Sequence, residues 1–132
     1  FFKERQLEIV KEVEQQLSNL GVEYFSPRLQ GKPLKDMGGA ELHTAKSEVF
    51  GENISNMDSC THMIACIEEK DTGTSFEIGY YYCDDKPVIL FSEEISRVNV
   101  MLAEAAAAVC DDIEYLEDTL NGFYTAKIEE LI

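Results

Sequence analysis

Thr61-His62-Met63-Ile64-Ala65-Cys66-Ile67, the polar loop Glu68 to Gly73, the segment Thr74 to Cys83 and the run Pro87-Val88-Ile89-Leu90-Phe91 together decide the fold. The first and last pieces are nearly continuous in apolar character, as expected of strands covered on both faces. The piece between them opens with Thr and Ser and is long enough for three helical turns. The unit is a strand–helix–strand crossover. Upstream, Ala40 to Met57 carries Leu42, Ala45, Val49, Ile54 and Met57 on one helical stripe, and Glu4 to Leu20 does the same with Leu7, Val10, Val13, Leu17 and Leu20. Gly21 stops that first helix, where only glycine takes a left-handed conformation cheaply. Val22-Glu23-Tyr24-Phe25 reads as a short strand ended by Ser26-Pro27, and Arg28 to Gly39 as a long loop. Downstream, Arg97 to Val109 reads as an Ala-rich helix. Ile113 to Leu116 reads as a short strand, and Glu117 to Ile132 as a helix weakened near Asn121-Gly122. Alternation of this kind specifies an α/β fold: a parallel sheet with helices on both faces.

The 132 residues make one domain by size, 1–132, able to bury roughly two-thirds of the unfolded surface without metal or disulfide. Eleven Lys and Arg stand against 26 Asp and Glu, a net charge of −15. That balance repels phosphate backbones and anionic membranes, so neither a nucleic acid polymer nor a membrane is an expected partner. A small neutral ligand remains compatible. No apolar run approaches the roughly 18 residues that span a bilayer. Cys60, Cys66, Cys83 and Cys110 form no CxxC pair, and His43 and His62 supply no zinc spacing. Buried free thiols in a reducing cytoplasm are the expected state. Glu104 to Asp118 carries six acids and no base, which reads as a solvated face.

In open α/β sheets, ligands bind outside the carboxyl ends of the strands. The loop that leaves Ile67 on that edge leads into Asp71-Thr72-Gly73-Thr74-Ser75-Phe76-Glu77-Ile78-Gly79. Gly73 lets the backbone bend before the helix, and Glu77 falls in the first turn, where the helix dipole favours its ionised form. Two carboxyl groups about 5 Å apart are the arrangement of retaining glycosyl transfer. The same residues fit a capping box, with Thr74 as N-cap and Glu77 three residues later. Spacing leaves both readings open. Gly79, inside the helix, costs about 1 kcal/mol and points to close packing or a ligand's approach.

The stretch from Asp71 to Tyr80, followed by Lys86-Pro87-Val88-Ile89, resembles the nucleoside 2-deoxyribosyltransferases. So do Asn99-Val100-Met101, Phe2 to Gln6, Phe25-Ser26-Pro27-Arg28 and Phe50-Gly51-Glu52-Asn53-Ile54, over Phe1 to about Val109. The resemblance implies a flavodoxin-like three-layer domain with a five-stranded parallel sheet of order 2-1-3-4-5. It implies a cytoplasmic enzyme without metal or cofactor that exchanges the base of a 2′-deoxynucleoside for another base. Glu77 matches the nucleophile, and Asp71 an acid near the base with a role in proton transfer or base orientation. Asn99 and Met101 match residues that reach a neighbouring subunit's site, which implies a homo-oligomer with shared sites. Phe2 matches an aromatic position near the base, and Gly73 lies within the motif. Gln30 is a weak candidate for reading a base edge. Asn53 stands where many family members have Asp; an amide donates and accepts but does not ionise.

A related fold with another activity, 2′-deoxynucleoside 5′-phosphate N-hydrolysis, is the nearest alternative, and Asn99-x-Met101 favours the transferase. Arg28, Lys32 and Lys35 are the basic residues the sequence offers near such a pocket. A non-catalytic nucleotide-sensing domain is the alternative of another class, since fold does not fix function. In the 2-1-3-4-5 order, Val22–Phe25 needs a neighbour between it and Thr61–Ile67. The expectation is therefore a first strand before Phe1.

Overall fold

The computed structural model describes residues 4–30, 34, 37–68 and 71–131, with side chains for all of these except 30 and 125–131. The chain falls into two compact units: Phe1–Val22 with His62–Ile132, and Glu23–Thr61.

The larger unit holds the sheet. Strands β1 (Met63–Cys66), β2 (Val88–Phe91) and β3 (Ala108–Cys110) pair in parallel in the order β1-β2-β3. Helix α1 spans Glu4–Asn19, α4 Thr72–Cys83, α5 Val100–Ala105 and α6 Ile113–Leu131; a 3-10 turn covers Ile95–Arg97. The other unit contributes α2 (Pro27–Gln30) and α3 (Gly39–Ser59). The α/β alternation and the parallel pairing expected from residues 61–91 are present. Three strands are seen among the described residues; the five-strand order is not.

All four residues of β2 are buried, as a central strand requires. Each such side chain withdrawn from water is worth about 1.5–3 kcal/mol, so this strand anchors the core. In register, Cys66 lies beside Phe91 and Phe91 beside Cys110, which places the three side chains on one face. Cys110 Sγ meets Thr119 Oγ1 of α6 at 3.6 Å, and Cys66 lies within the electrostatic influence of Glu14 on α1. That face is covered by α1 and α6, which also pack on each other. Helix α4 packs on β1, β2 and α5. Burial, reinforced by Glu14, pushes the Cys66 thiol up to about 12; burial raises Cys110 as well, so both stay protonated. All four cysteines are free, but Cys110 alone is fully buried: Cys60 and Cys66 are half-buried and Cys83 is exposed.

Gly21 ends α1 as the sequence predicts. Its φ is +71°, and the Gly21 and Val22 N–H groups return to the Ser18 and Leu17 carbonyls at 3.1 and 3.0 Å. This double return satisfies two carbonyls that the helix end leaves open.

Three expectations are corrected. Val22–Phe25 carries no ladder among the described residues, since a strand exists only with a partner. The Ala-rich helix of Arg97–Val109 is a short turn, a six-residue helix and then a strand. Ala106 leaves the helix at ψ 143°, and the Ala107 N–H donates to the Val88 carbonyl at 2.8 Å. Alanine's helix propensity is worth less than 1 kcal/mol per residue and yields to a ladder beside a buried strand. Ile113–Leu116, read as a strand, is the first turn of α6. The Asp112 carboxylate accepts the Tyr115 N–H at 2.8 Å and caps the helix, while Leu116 and Leu120 are buried one turn apart. The helix runs through Asn121-Gly122 without a break.

At the amino end of β1, His62 packs against Phe123 and Tyr124 and shares a short hydrogen bond with the Tyr124 hydroxyl. Burial pushes Tyr124 up to about 12. At the other end, the α1 start is fastened to the carboxyl edge of the sheet. The buried Gln6 amide donates to the Cys66 carbonyl at 3.2 Å. Arg5 grips Glu93 through two hydrogen bonds of 3.1 and 3.0 Å.

Candidate active site

The residues after β1 and β2 converge on a cleft of about 500 Å³ at the carboxyl edge of the sheet. Glu68 comes from the exit of β1, Asp71 and Ser75 from the start of α4, and Arg97, Asn99 and Leu102 from the segment that follows β2. The topological rule for ligand sites in parallel sheets places a site on this edge.

Asp71 is the residue that organises the helix start. Its Oδ1 accepts the Thr74 N–H at 3.0 Å and its Oδ2 accepts the Thr74 hydroxyl at 2.8 Å. Its carbonyl accepts the Ser75 hydroxyl at 2.7 Å and the Ser75 N–H at 3.1 Å. The N-cap of α4 is therefore Asp71, not Thr74. Asp-x-x-Thr caps as well as Thr-x-x-Glu, and the side chain that can reach two donors at once takes the position. The capping reading of Glu77 falls with this shift.

Glu77 is the sixth residue of α4 and lies outside its first turn. The expected dipole stabilisation of its charge fades beyond that turn. Instead burial, and then the charge of Asp71, raise its carboxyl above the usual range. Glu77 is half-buried and is not among the residues that line the cleft. The two carboxyl groups are electrostatically linked: Asp71 lines the cleft, and Glu77 is the more desolvated member of the pair.

Asn99 caps α5, its Oδ1 accepting the Met101 N–H at 2.8 Å, and lines the cleft that Asp71 also lines. Met101 follows on α5 and is 75% exposed. Gly73 sits inside the first turn of α4 with an ordinary helical φ, and a side chain there would meet no described atom within 4 Å. The bend assigned to it is absent because the helix starts one residue earlier. Gly79 likewise has open space, so of the two expected reasons for it close packing is not met among the described residues. Asn53 is half-buried on α3, in the other unit. Phe2, Lys32, Lys35 and the Gln30 side chain lie outside the described residues.

Sequence reasoning missed Glu68, Ser75 and Arg97. Glu68 and Ser75 had a signal: one immediately follows β1, the other is one helical turn from Asp71. Arg97 was hidden by the Ala-rich reading, which placed it on a helix rather than in a turn beyond β2. Among the described residues no group of three or more His, Cys, Asp or Glu is arranged to hold a metal ion. No helix of the described residues is long and apolar enough to cross a membrane.

The family profile described as nucleoside 2-deoxyribosyltransferase matches residues 1–118. The chain belongs to the nucleoside 2-deoxyribosyltransferase family. A solved 2-deoxyribosyltransferase from the psychrotolerant bacterium Bacillus psychrosaccharolyticus is 34% identical, with a TM-score of 0.71 over 89% of this chain and 85% of that one. That enzyme is described as a biocatalyst for the synthesis of antiviral and antitumoral nucleosides. The search of curated protein sequences returned no match. Membership in this family implies nucleoside substrates.

Proposed function

We propose that this chain moves the 2-deoxyribosyl group of a 2′-deoxynucleoside onto another free nucleobase by a retaining double displacement. The observation that carries the reading is the Asp71–Glu77 pair: one carboxylate that caps α4 and lines the cleft, and a second, desolvated one within that helix that feels its charge. In the first step the Glu77 carboxylate attacks C1′, the C1′–N bond breaks, and the departing base takes up a proton from water. A deoxyribosyl–glutamyl ester remains. In the second step a ring nitrogen of the incoming base attacks C1′, the carboxylate leaves, and that base gives its proton to water. Two inversions give net retention. Desolvation makes the Glu77 carboxylate the better nucleophile once ionised, because fewer waters must be shed.

Asp71 orients the base. Thr74 occupies one acceptor direction on each of its oxygens, which leaves others for a base N–H and keeps the carboxylate from swinging. Asn99 has its oxygen committed to the α5 cap, so its amide N–H groups are what it offers a nucleoside.

Incubation with thymidine and adenine tests the reading. Deoxyadenosine is the expected product, and Glu77→Ala removes it, with a loss of about 10⁴-fold or more for a nucleophile. The far-UV spectrum should be unchanged. Free deoxyribose as the sole product would replace transfer by hydrolysis. Full exchange activity in Glu77→Ala would remove the mechanism.

A further inference from the structure

We infer that Asn121-Gly122 is a self-modification site, a deamidation centre kept shut by the helical backbone of α6 and by the Gln16 amide of α1, and that its reaction unlatches the end of α6.

In an Asn-Gly dipeptide the next backbone nitrogen attacks the asparagine side chain with least hindrance, because glycine puts no Cβ in the way. The Gly122 nitrogen adds to Asn121 Cγ and gives up its proton, and ammonia leaves. A five-membered succinimide remains. Water then opens the ring at either carbonyl, to aspartate or to isoaspartate, whose backbone is longer by one methylene. Water is the only co-reactant.

Both residues are exposed, so water reaches them. The fold holds them away from the reaction in two ways. They lie inside α6, whose ladder directs the Gly122 N–H to the carbonyl four residues back and sets Asn121 in the helical range of ψ. Ring closure needs that nitrogen free and turned toward the Asn121 side chain. The side chain is held as well: Gln16 Nε2 donates to Asn121 Oδ1 at 2.9 Å, a bond between α1 and α6.

The consequences follow from what surrounds the dipeptide. Glu117 and Asp118 stand one turn before Asn121, so a new carboxylate there adds like-charge pairs that weaken the helix. An isoaspartate interrupts the ladder outright. The next two residues, Phe123 and Tyr124, are the ones that fasten α6 to His62 at the amino end of β1. Modification at Asn121 therefore loosens this clasp.

Wild type, Gln16→Ala and Gly122→Ala are aged at 37 °C and pH 8, each folded and in 8 M urea. The peptide holding Asn121 is followed by mass spectrometry for a gain of one mass unit. A side chain at position 122 would meet no described atom within 4 Å, so Gly122→Ala fits the fold. In urea, wild type and Gln16→Ala should react at one common rate, and Gly122→Ala far more slowly. Folded wild type should react roughly tenfold or more slowly than in urea, since it waits on local opening of α6. Folded Gln16→Ala should react about fivefold faster than folded wild type, the size expected from one lost hydrogen bond. Equal rates for folded and unfolded wild type would overturn the lock. Equal rates for folded wild type and folded Gln16→Ala would remove Gln16 from it. The unlatching is read on aged wild type. Its more anionic fraction, shown by the same peptide to be modified at Asn121, should be cut by chymotrypsin after Phe123 and Tyr124 faster than the unmodified fraction. Equal cutting would overturn the unlatching.

Discussion

Glu77 is a side chain whose environment can be read in two independent ways. Burial and the neighbouring Asp71 charge both disfavour its ionised form. A nucleophilic carboxylate must be ionised, so the acid limb of kcat/KM for base exchange should lie above the usual glutamate range. Asp71→Asn removes one of the two causes and should move that limb down, alongside its loss of activity. The second reading is thermodynamic. A free glutamate titrates near pH 4, and a group whose folded pKa is raised binds its proton more tightly in the native state. Its contribution to stability is therefore fully present below about pH 4 and is lost as pH rises through the raised value. Glu77→Gln, which cannot ionise, should melt higher than wild type at pH 7 and match it near pH 3.5. Melting curves at the two pH values check this. A variant equally or less stable at pH 7 would mean that Glu77 is not held in a charge-averse setting.

At the scale of the element, the start of α1 shows how two contacts of similar look differ in weight. Arg5 and Glu93 form a well-aligned pair, but both are largely in water, where ion pairs contribute little and salt weakens them further. Gln6 is buried, and its amide satisfies the carbonyl that ends β1. Gln6→Leu keeps the bulk and leaves that carbonyl without its donor, which should cost about 1–3 kcal/mol in urea unfolding. The effect should reach the cleft too, because Cys66 is followed at once by Ile67 and Glu68. Arg5→Gln should change stability far less, and that small change should vanish in 1 M salt. If Arg5→Gln proved the more damaging variant, the α1 start would be held by charge rather than by the buried amide. The same contrast explains what the sequence displayed at this scale. Gly21 and the apolar runs of β1 and β2 are local signals, and each appears where the pattern places it; the α1 stripe is turned, with Gln6, Ile9, Val13, Glu14 and Leu17 buried and Leu7, Val10 and Leu20 only half-buried. Asp71 and Asp112 as caps were not legible: Asp, Thr and Ser crowd the start of α4 and two Asp stand before α6, and only the folded backbone selects which side chain faces the open N–H groups. The Ala105–Ala108 run was misread for the opposite reason. Its local preference is helical, and the pairing with β2 that overrides it lies some twenty residues away in sequence.

For the molecule as a whole, the question is whether one chain makes one complete site. The sequence motif brings Glu77 and Asp71 together, and the structure adds Asn99 to Asp71's cleft. The family resemblance instead has Asn99 and Met101 serving a neighbouring subunit, and Met101 is exposed on the short helix that Asn99 caps. These arrangements differ in a measurable way. If sites are shared between subunits, a Glu77→Ala chain supplies a sound Asn99 and an Asn99→Ala chain a sound Glu77. Mixed oligomers of two inactive proteins then contain sites with both residues intact. Co-expression with different affinity tags, followed by tandem purification, isolates such hybrids. Each mixed dimer holds one restored site of two, so purified hybrid dimers are expected to show about half of wild-type activity. If Asn99 serves its own chain, every site in the hybrid retains one defect and activity stays at the average of the two parents. Asn99→Ala also removes the α5 cap, at about 0.5–2 kcal/mol. Asn99→Asp, which keeps the cap acceptor and loses the amide N–H groups, is therefore the companion variant. Recovery with both partners assigns the amide to the neighbour's substrate. Recovery with neither, in hybrids whose mass confirms both chains, assigns it to the cleft of its own chain.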